Sequence, residues 1–158
     1  MVNMRIRSLK PIEYPILRDF LYEAIFIPEG VTPPDRSIIE LPELRLYYEG
    51  FGTGEADYCL VADEDGKVVG AVWTRIMKDY GHVDDETPSF AISLYKEYRG
   101  KGYGTRLMRA MLELLRTKGY KKASLAVQKA NYAVKMYEKV GFRTVDENEE
   151  EFIMVCEL

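Results

Sequence analysis

The chain has 158 residues, 47% hydrophobic and 30% charged, with a formal net charge of -4. That length accommodates one domain with a substantial core, and the composition is that of an ordinary soluble globular protein. Basic residues interleaved among acids exclude a protein that lays a broad cationic face on nucleic acid, and two cysteines and one histidine are too few for a metal cluster.

The opening MVNMRIRSLK has no apolar core of signal-peptide length, and no apolar run approaches the ~18 residues of a membrane helix. A cytoplasmic protein that does not enter membranes is expected. Cys59 and Cys156, far apart in apolar contexts, should then be buried and reduced. No linker, repeat or low-complexity stretch divides the chain, so one domain over residues 1–158 is expected.

In chain order, MRIRSL (Met4 to Leu9) alternates like a strand. YPILRDFLYEAIF carries Ile16, Leu17, Phe20, Leu21, Ala24 and Ile25 at helical spacing. A loop broken by Pro28, Gly30, Pro33 and Pro34 follows, then LPELRLYYEG, read as a second short helix stopped by Gly50. YCLVAD and KVVGAVWTRIM flank EDG, a hairpin signal. Gly70 inside the second of these strands points to a bulge or a close approach. KDYGHVDDETP reads as a polar loop and FAISLY as a strand. An amphipathic helix with Leu107, Met108, Met111, Leu112, Leu114 and Leu115 on its apolar stripe ends at Gly119. KASLAV is a strand, and NYAVKMYEKVGF a helix closed by Gly141 with Asn131 as its N-cap. A terminal hairpin spans Phe142 to Val145 and Phe152 to Glu157. The order β-α-α-β-β-β-α-β-α-β-β is that of a mixed α/β domain.

The segment from Arg99 to Thr105 carries the chemistry. A helix start leaves backbone N–H groups unpaired and bears partial positive charge. Glycines let those groups approach an anion closely. Arg99 and Lys101 add charge, and Thr105 is placed to cap the helix or bind an oxygen. A phosphate or pyrophosphate suits the site. The P-loop spacing fails for want of Gly-Lys-Ser/Thr. The dinucleotide fingerprint fails because the glycines run G-x-G-x-G and the next strand ends in Gln128 rather than an acid. What remains is R-x-x-G-x-G over Arg99, Gly102 and Gly104.

With YRGKGYGTRLM between a strand and a helix, and with Asn131, Tyr137, Gly141 and Phe142 following, the chain resembles the GCN5-related N-acetyltransferases. The resemblance covers nearly the whole chain and implies a mixed central sheet of about seven strands with helices on both faces. It implies an N-acetyltransferase moving the acetyl group of acetyl-CoA to a primary amine, of a small molecule or a peptide, by direct attack on the thioester. Amides of Arg99, Gly100, Lys101, Gly102, Tyr103, Gly104 and Thr105 would bind the CoA pyrophosphate. Backbone groups of Ile92, Ser93 and Leu94 would pair with the pantetheine arm, with Leu94 N–H stabilising the oxyanion. Asn131 would bind the arm and Tyr137 would protonate the leaving thiolate. No metal is implied.

Glu55, Asp57, His82, Asp84, Asp85 and Glu86 are candidate bases, none assigned. The resemblance puts Phe26, Tyr47, Tyr48, Trp73 and Arg75 around the acceptor, with Arg75 binding an acceptor carboxylate or pairing with Asp84 or Asp85. The rival reading is a non-catalytic acyl-CoA-binding sensor or regulatory module, since fold does not fix function. A homodimer is a further expectation, because the terminal hairpin or splayed strands can pair across chains.

Overall fold

The computed structural model describes residues 3–158; Met1 and Val2, part of the N-terminal stretch discussed above, lie outside them. Strands β1 (Met4–Ser8), β2 (Tyr58–Glu64) and β3 (Lys67–Arg75) form an antiparallel meander. The β2–β3 turn is Asp65-Gly66, both at positive φ (52° and 93°), as a tight hairpin of matching twist requires. Next come β4 (Ser89–Leu94), α3 (Tyr103–Thr117), β5 (Lys122–Gln128), α4 (Ala133–Lys139), β6 (Arg143–Glu147) and β7 (Glu151–Glu157). Helices α1 (Ile16–Ala24) and α2 (Pro42–Arg45) lie between β1 and β2. The strands make one seven-stranded sheet in the order β1-β2-β3-β4-β5-β7-β6. Among the strand pairs of the described residues only β4–β5 is parallel. The mixed sheet and the element order are those expected from the sequence.

The second helix is shorter than expected. The stretch 41–50 holds only the single turn of α2, preceded by a 3-10 turn at Arg36–Glu40. The reason is tertiary. Carbonyls that a continued helix would pair internally are taken by side chains of β3. Arg75 donates to the carbonyls of Leu46 (3.1 Å) and Glu49 (2.6 Å), and Trp73 Nε1–H to that of Tyr47 (2.9 Å).

The two faces of the sheet bury separate cores. On one, Leu107, Met108, Met111 and Leu115 of α3 are fully buried, each contributing about 1.5–3 kcal/mol. Phe90, Ile92 and Leu94 of β4 join them, with Val134, Met136 and Tyr137 of α4. On the other face α1 packs Leu17 and Phe20 against Val61, Ala71 and Trp73. Both signals read from Gly70 are met. The register of β2 against β3 shifts beside it, and a Cβ there would come within 2.1 Å of Leu94 Cδ2.

β4 pairs with β3 from Ser89 to Leu94, yet with β5 only at Ser89↔Ser124. Pro88 still accepts the Ser124 N–H at 2.9 Å. Beyond that point the strands part and leave a slot.

Candidate active site

The direction of backbone groups alternates along a strand. Tyr95 N–H bonds back to Val69 O (3.0 Å) and Pro88 O faces Ser124. The N–H and C=O of residues 90, 92 and 94 therefore face the slot, and those of 89, 91, 93 and 95 face β3. Ile92 and Leu94 thus offer backbone to a ligand. Ser93, grouped with them in the sequence reading, does not: its backbone is turned to β3 and its Oγ donates to Phe20 O at 2.6 Å. The Leu94 carbonyl is itself occupied, by Arg99 Nε at 3.1 Å.

A 3-10 turn at Lys96–Tyr98 joins β4 to the glycine bend. Arg99 N–H closes that turn on Lys96 O (3.2 Å) and so drops out of the expected set of free amides. Its guanidinium also reaches Glu23 O at 3.2 Å, tying the end of β4 to the end of α1 rather than standing free for an anion. Gly100 and Gly102 sit at φ +78° and +82°, a region other residues enter at a cost of roughly 1–2 kcal/mol. Gly102 caps α3, and the first helical bond runs from Arg106 N–H to Gly102 O (3.2 Å). Among the described residues, the amides of Gly100 to Thr105 have no protein acceptor. Gly104 serves a different need. Its Cβ would meet Met136 Sδ at 3.2 Å and Leu94 Cδ1 at 3.8 Å, so its small size lets helix, strand and α4 close up. Lys101 Nζ lies over the Tyr98 ring, 5.2 Å from its centroid. Tyr103 is buried and its hydroxyl donates to Glu64 Oε2, which fixes the start of α3 on the sheet.

The second motif is explained by a helix ending. Gly141 has φ +115°, its N–H bonds to Glu138 O (3.1 Å) and Phe142 N–H to Tyr137 O (3.0 Å). This is a Schellman closure. It locks Phe142 to Tyr137, ring centroids 6.2 Å apart, while Phe142 packs on Phe90 at 5.7 Å. Tyr137 is thereby held, through Phe142, toward the Phe90 end of β4. Burial pushes its phenol up to about 12, so it keeps its proton at neutral pH. Among the described residues its hydroxyl has no hydrogen-bond partner, and it lines the groove. Asn131 is not the N-cap expected of it, since α4 starts at Ala133 with Tyr132 in the cap position; one residue earlier, its Oδ1 accepts Ala133 N–H (2.9 Å) and braces the turn into the helix, leaving the amide nitrogen free.

Slot, glycine bend and α4 open into one groove of about 1070 Å³. Ile92, Leu94, Gly100, Gly102, Gly104, Thr105, Asn131 and Tyr137 line it, and Ile25, Phe26, Val31 and Pro33 form an apolar wall. A second groove of about 710 Å³ runs past Arg75; most of its charges pair among themselves, Arg75 with Asp57, Lys78 with Asp85 and Arg45 with Glu49, while Glu55 lines it without an ion pair among the described residues.

The residues expected around the acceptor divide. Phe26 lines the groove. Trp73 is fully buried core, and the Tyr48 hydroxyl is spent on Ile39 O (3.0 Å). Arg75 pairs through two bonds, 3.0 and 3.1 Å, with Asp57, not with Asp84 or Asp85. Among the candidate bases, Asp57 is therefore spent, Asp84 caps Glu86 N–H and Thr87, and Asp85 holds Lys78 and His82.

Sequence reasoning missed Asp79. Its carboxylate accepts from Tyr47 OH (2.9 Å) and Ser89 Oγ (3.1 Å), and burial raises its pKa above the usual aspartate value. Among the described residues no His, Cys, Asp and Glu side chains gather as a group of three or more that would hold a metal ion, and no helix is long and apolar enough to cross a membrane. Cys59 and Cys156 are free and buried, with burial pushing both thiols up.

Comparison with known proteins gives this geometry its context. The chain is 36% identical to the uncharacterized N-acetyltransferase YycN of Bacillus subtilis (strain 168) over 80 residues, 50% of each protein. It is 37% identical to the [Ribosomal protein bS18]-alanine N-acetyltransferase of Haemophilus influenzae over 62 residues, 39% of this chain and 42% of that one. Such matches span about half or less of the length of these curated relatives. Solved structures are covered almost end to end. The PaiA N-acetyltransferase of Thermoplasma acidophilum, in complex with coenzyme A, superposes with a TM-score of 0.70 at 20% identity, over 99% of each chain. A GCN5-related N-acetyltransferase of Kribbella flavida does so with 0.71 at 18%, over 98% of each. Residues 21–142 match the Acetyltransferase (GNAT) family, and the chain belongs to that family.

Proposed function

We propose that the protein is an N-acetyltransferase that moves the acetyl group of acetyl-CoA to a primary amine of a small molecule or peptide. One observation carries the reading: the same groove holds a run of unpaired amides at a helix start, an unpaired strand edge and an unbonded tyrosine hydroxyl.

The diphosphate binds the amides of residues 100–105, where the helix dipole and the local cations favour negative charge. The pantetheine arm lies in the slot and pairs with β4 as an added strand would, and the free Asn131 amide nitrogen donates to it. Two contacts support giving the oxyanion to Ile92 N–H rather than to Leu94. Leu94 stands beside Gly104 at the diphosphate end. Tyr137, through Phe142, stands at the level of Phe90, and Ile92 lies about 7 Å further down the strand than Leu94, within reach of an extended arm. The amine attacks the thioester carbon, Ile92 N–H steadies the oxyanion, and Tyr137 gives its proton to the departing thiolate.

The test is CoA release from acetyl-CoA against a panel of primary amines: a diamine, an arylalkylamine and short peptides with free N-termini. Amine-dependent release with an acetylated product is the expected result. Binding of acetyl-CoA without transfer to any nucleophile would overturn the catalytic reading.

A further inference from the structure

We propose that Asp79 takes the proton that the attacking amine gives up, its carboxylate held at the closed end of the slot by Tyr47 and Ser89. The inference rests on the acetyltransferase reading above and supplies the base that reading lacks.

The placement follows from the sheet. Even residues of β4 face α3, as Phe90, Ile92 and Leu94 show, while Ala91 and Ser93 face α1. Ser89 belongs to the α1 face, and Asp79 is bonded to it there. The loop carrying Asp79 crosses the gap between the parting strands: Ser124 Oγ donates to Gly81 O at 2.8 Å, and a Cβ on Gly81 would be 3.0 Å from Ala126 N. Asp79 therefore stands where β4 and β5 converge, on the face opposite Tyr137. Ser89 precedes Ile92 by three residues, about 10 Å of strand, so Asp79 lies beyond the lining of the donor groove and would reach the thioester only through the bound amine and a bridging water. Acid and base flank the thioester from opposite sides.

The surroundings suit a proton acceptor. Among the described residues, no lysine, arginine or histidine forms an ion pair with Asp79, in contrast to Asp57, Asp84 and Asp85. It faces the Tyr47 hydroxyl, the Ser89 hydroxyl, its own loop's Gly81 amide and, at longer range, the Glu151 carboxylate of β7. Burial with no cation keeps this carboxylate more basic than an exposed one, and the charges of Asp79 and Glu151 attract an acceptor that arrives as an ammonium.

Two protons must leave the nitrogen. The ammonium passes one to Asp79, directly or through the water, and Asp79 returns it to solvent. The neutral amine forms the N–C bond, the C–S bond breaks, and the second proton reaches the thiolate by way of Tyr137. Ammonium and acetyl-CoA thus give amide, CoA thiol and one free proton.

The experiment compares wild type, Asp79→Asn and Tyr47→Phe. Acetyl-CoA affinity, by calorimetry, should stay within about twofold of wild type in all, as neither residue touches the diphosphate site. With the best cationic amine of the panel, kcat/KM of Asp79→Asn should fall on the order of 10²–10⁴-fold and lose its acidic limb. Hydroxylamine, neutral at about pH 7 and in no need of deprotonation before attack, should suffer far less. In Tyr47→Phe the acidic limb should move to higher pH, because a hydrogen bond to the charged carboxylate is lost. Wild-type kcat/KM and pH profile in Asp79→Asn would overturn the proposal. Should that variant not fold, an unmoved limb in Tyr47→Phe would do so. Wild type that binds acetyl-CoA yet transfers to nothing, hydroxylamine included, would instead overturn the acetyltransferase reading, and this assignment with it.

Discussion

On the α3 and α4 side of the slot the groups proposed to act come from two short runs of chain, residues 99–105 and 131–142. On the α1 side they come from separate segments: Tyr47 after α2, Asp79 in the β3–β4 loop and Ser89 opening β4. The first wall is built of local devices, namely a glycine helix cap, unpaired amides and a Schellman closure that carries Tyr137. The second is built of long-range contacts, with Tyr47 and Asp79 apart by 32 positions. A local device leaves a local signature in sequence; a convergence of distant side chains leaves almost none.

This contrast gives variants on the two walls different readouts. Tyr137→Phe should lower kcat on the order of 10²–10⁴-fold, since it removes a proton donor, with acetyl-CoA affinity unchanged. Steady-state kinetics beside calorimetry check this, and an undiminished kcat would remove Tyr137 from the chemistry. Arg75→Met should do the reverse. It breaks a pair whose side chains are 12% and 2% exposed and releases segment 46–57, costing about 3–5 kcal/mol by denaturant unfolding. Affinity of the folded protein for acetyl-CoA should hold, because Arg75 stands outside the groove proposed to bind it.

Gly104→Val should weaken acetyl-CoA binding at least about 100-fold, or about 2.7 kcal/mol. The new side chain enters the groove and also crowds Met136 Sδ, 3.2 Å from the new Cβ, so the melting temperature should fall modestly while the larger loss is in binding. Arg99→Ala joins the two walls. It frees the carbonyls of Leu94 and Glu23, which should cost roughly 1 kcal/mol of stability and about tenfold in acetyl-CoA affinity. Arg99→Lys should not restore either, since a point charge cannot span both carbonyls.

The smallest effect lies outside both walls. Arg7 bonds Glu13 through both carboxylate oxygens, at 2.9 and 3.0 Å, and also Asp63 at 2.9 Å. Hydrogen bonding to Arg7 lowers Glu13 from 4.5 to about 2. A carboxyl depressed in the fold contributes stability above its unfolded pKa and loses it as pH falls through the folded value. The contribution is thus whole above about pH 4.5 and fades toward about pH 2. Arg7→Ala should shift the acid-unfolding midpoint upward and leave acetyl-CoA binding at neutral pH untouched.

The difference between the walls also marks what the sequence made legible. The strand–bend–helix unit was readable because Gly100 and Gly102 occupy conformations other residues resist, and because the α3 stripe has helical period. Asn131, Tyr137, Gly141 and Phe142 were readable because the turn into α4 and the closure fix their spacing. The stretch 41–50 misled because helix-forming residues there have their carbonyls captured by Trp73 and Arg75. Ser93 misled because strand direction, which decides whether its backbone faces slot or neighbour, is invisible until pairing is known. Asp79 sat unnoticed in KDYGHVDDETP because a polar loop gives no sign that one carboxylate will be folded inward. The one local hint was Gly81, whose small size lets the loop lie on Ala126.

The most direct test of the account is isothermal titration of the pure protein with acetyl-CoA, with CoA alongside. Saturable one-to-one binding at micromolar concentration, competed by CoA, is the predicted result. No heat and no competition at millimolar ligand would mean that the glycine bend is a structural turn, and the donor site would fall with every step built on it.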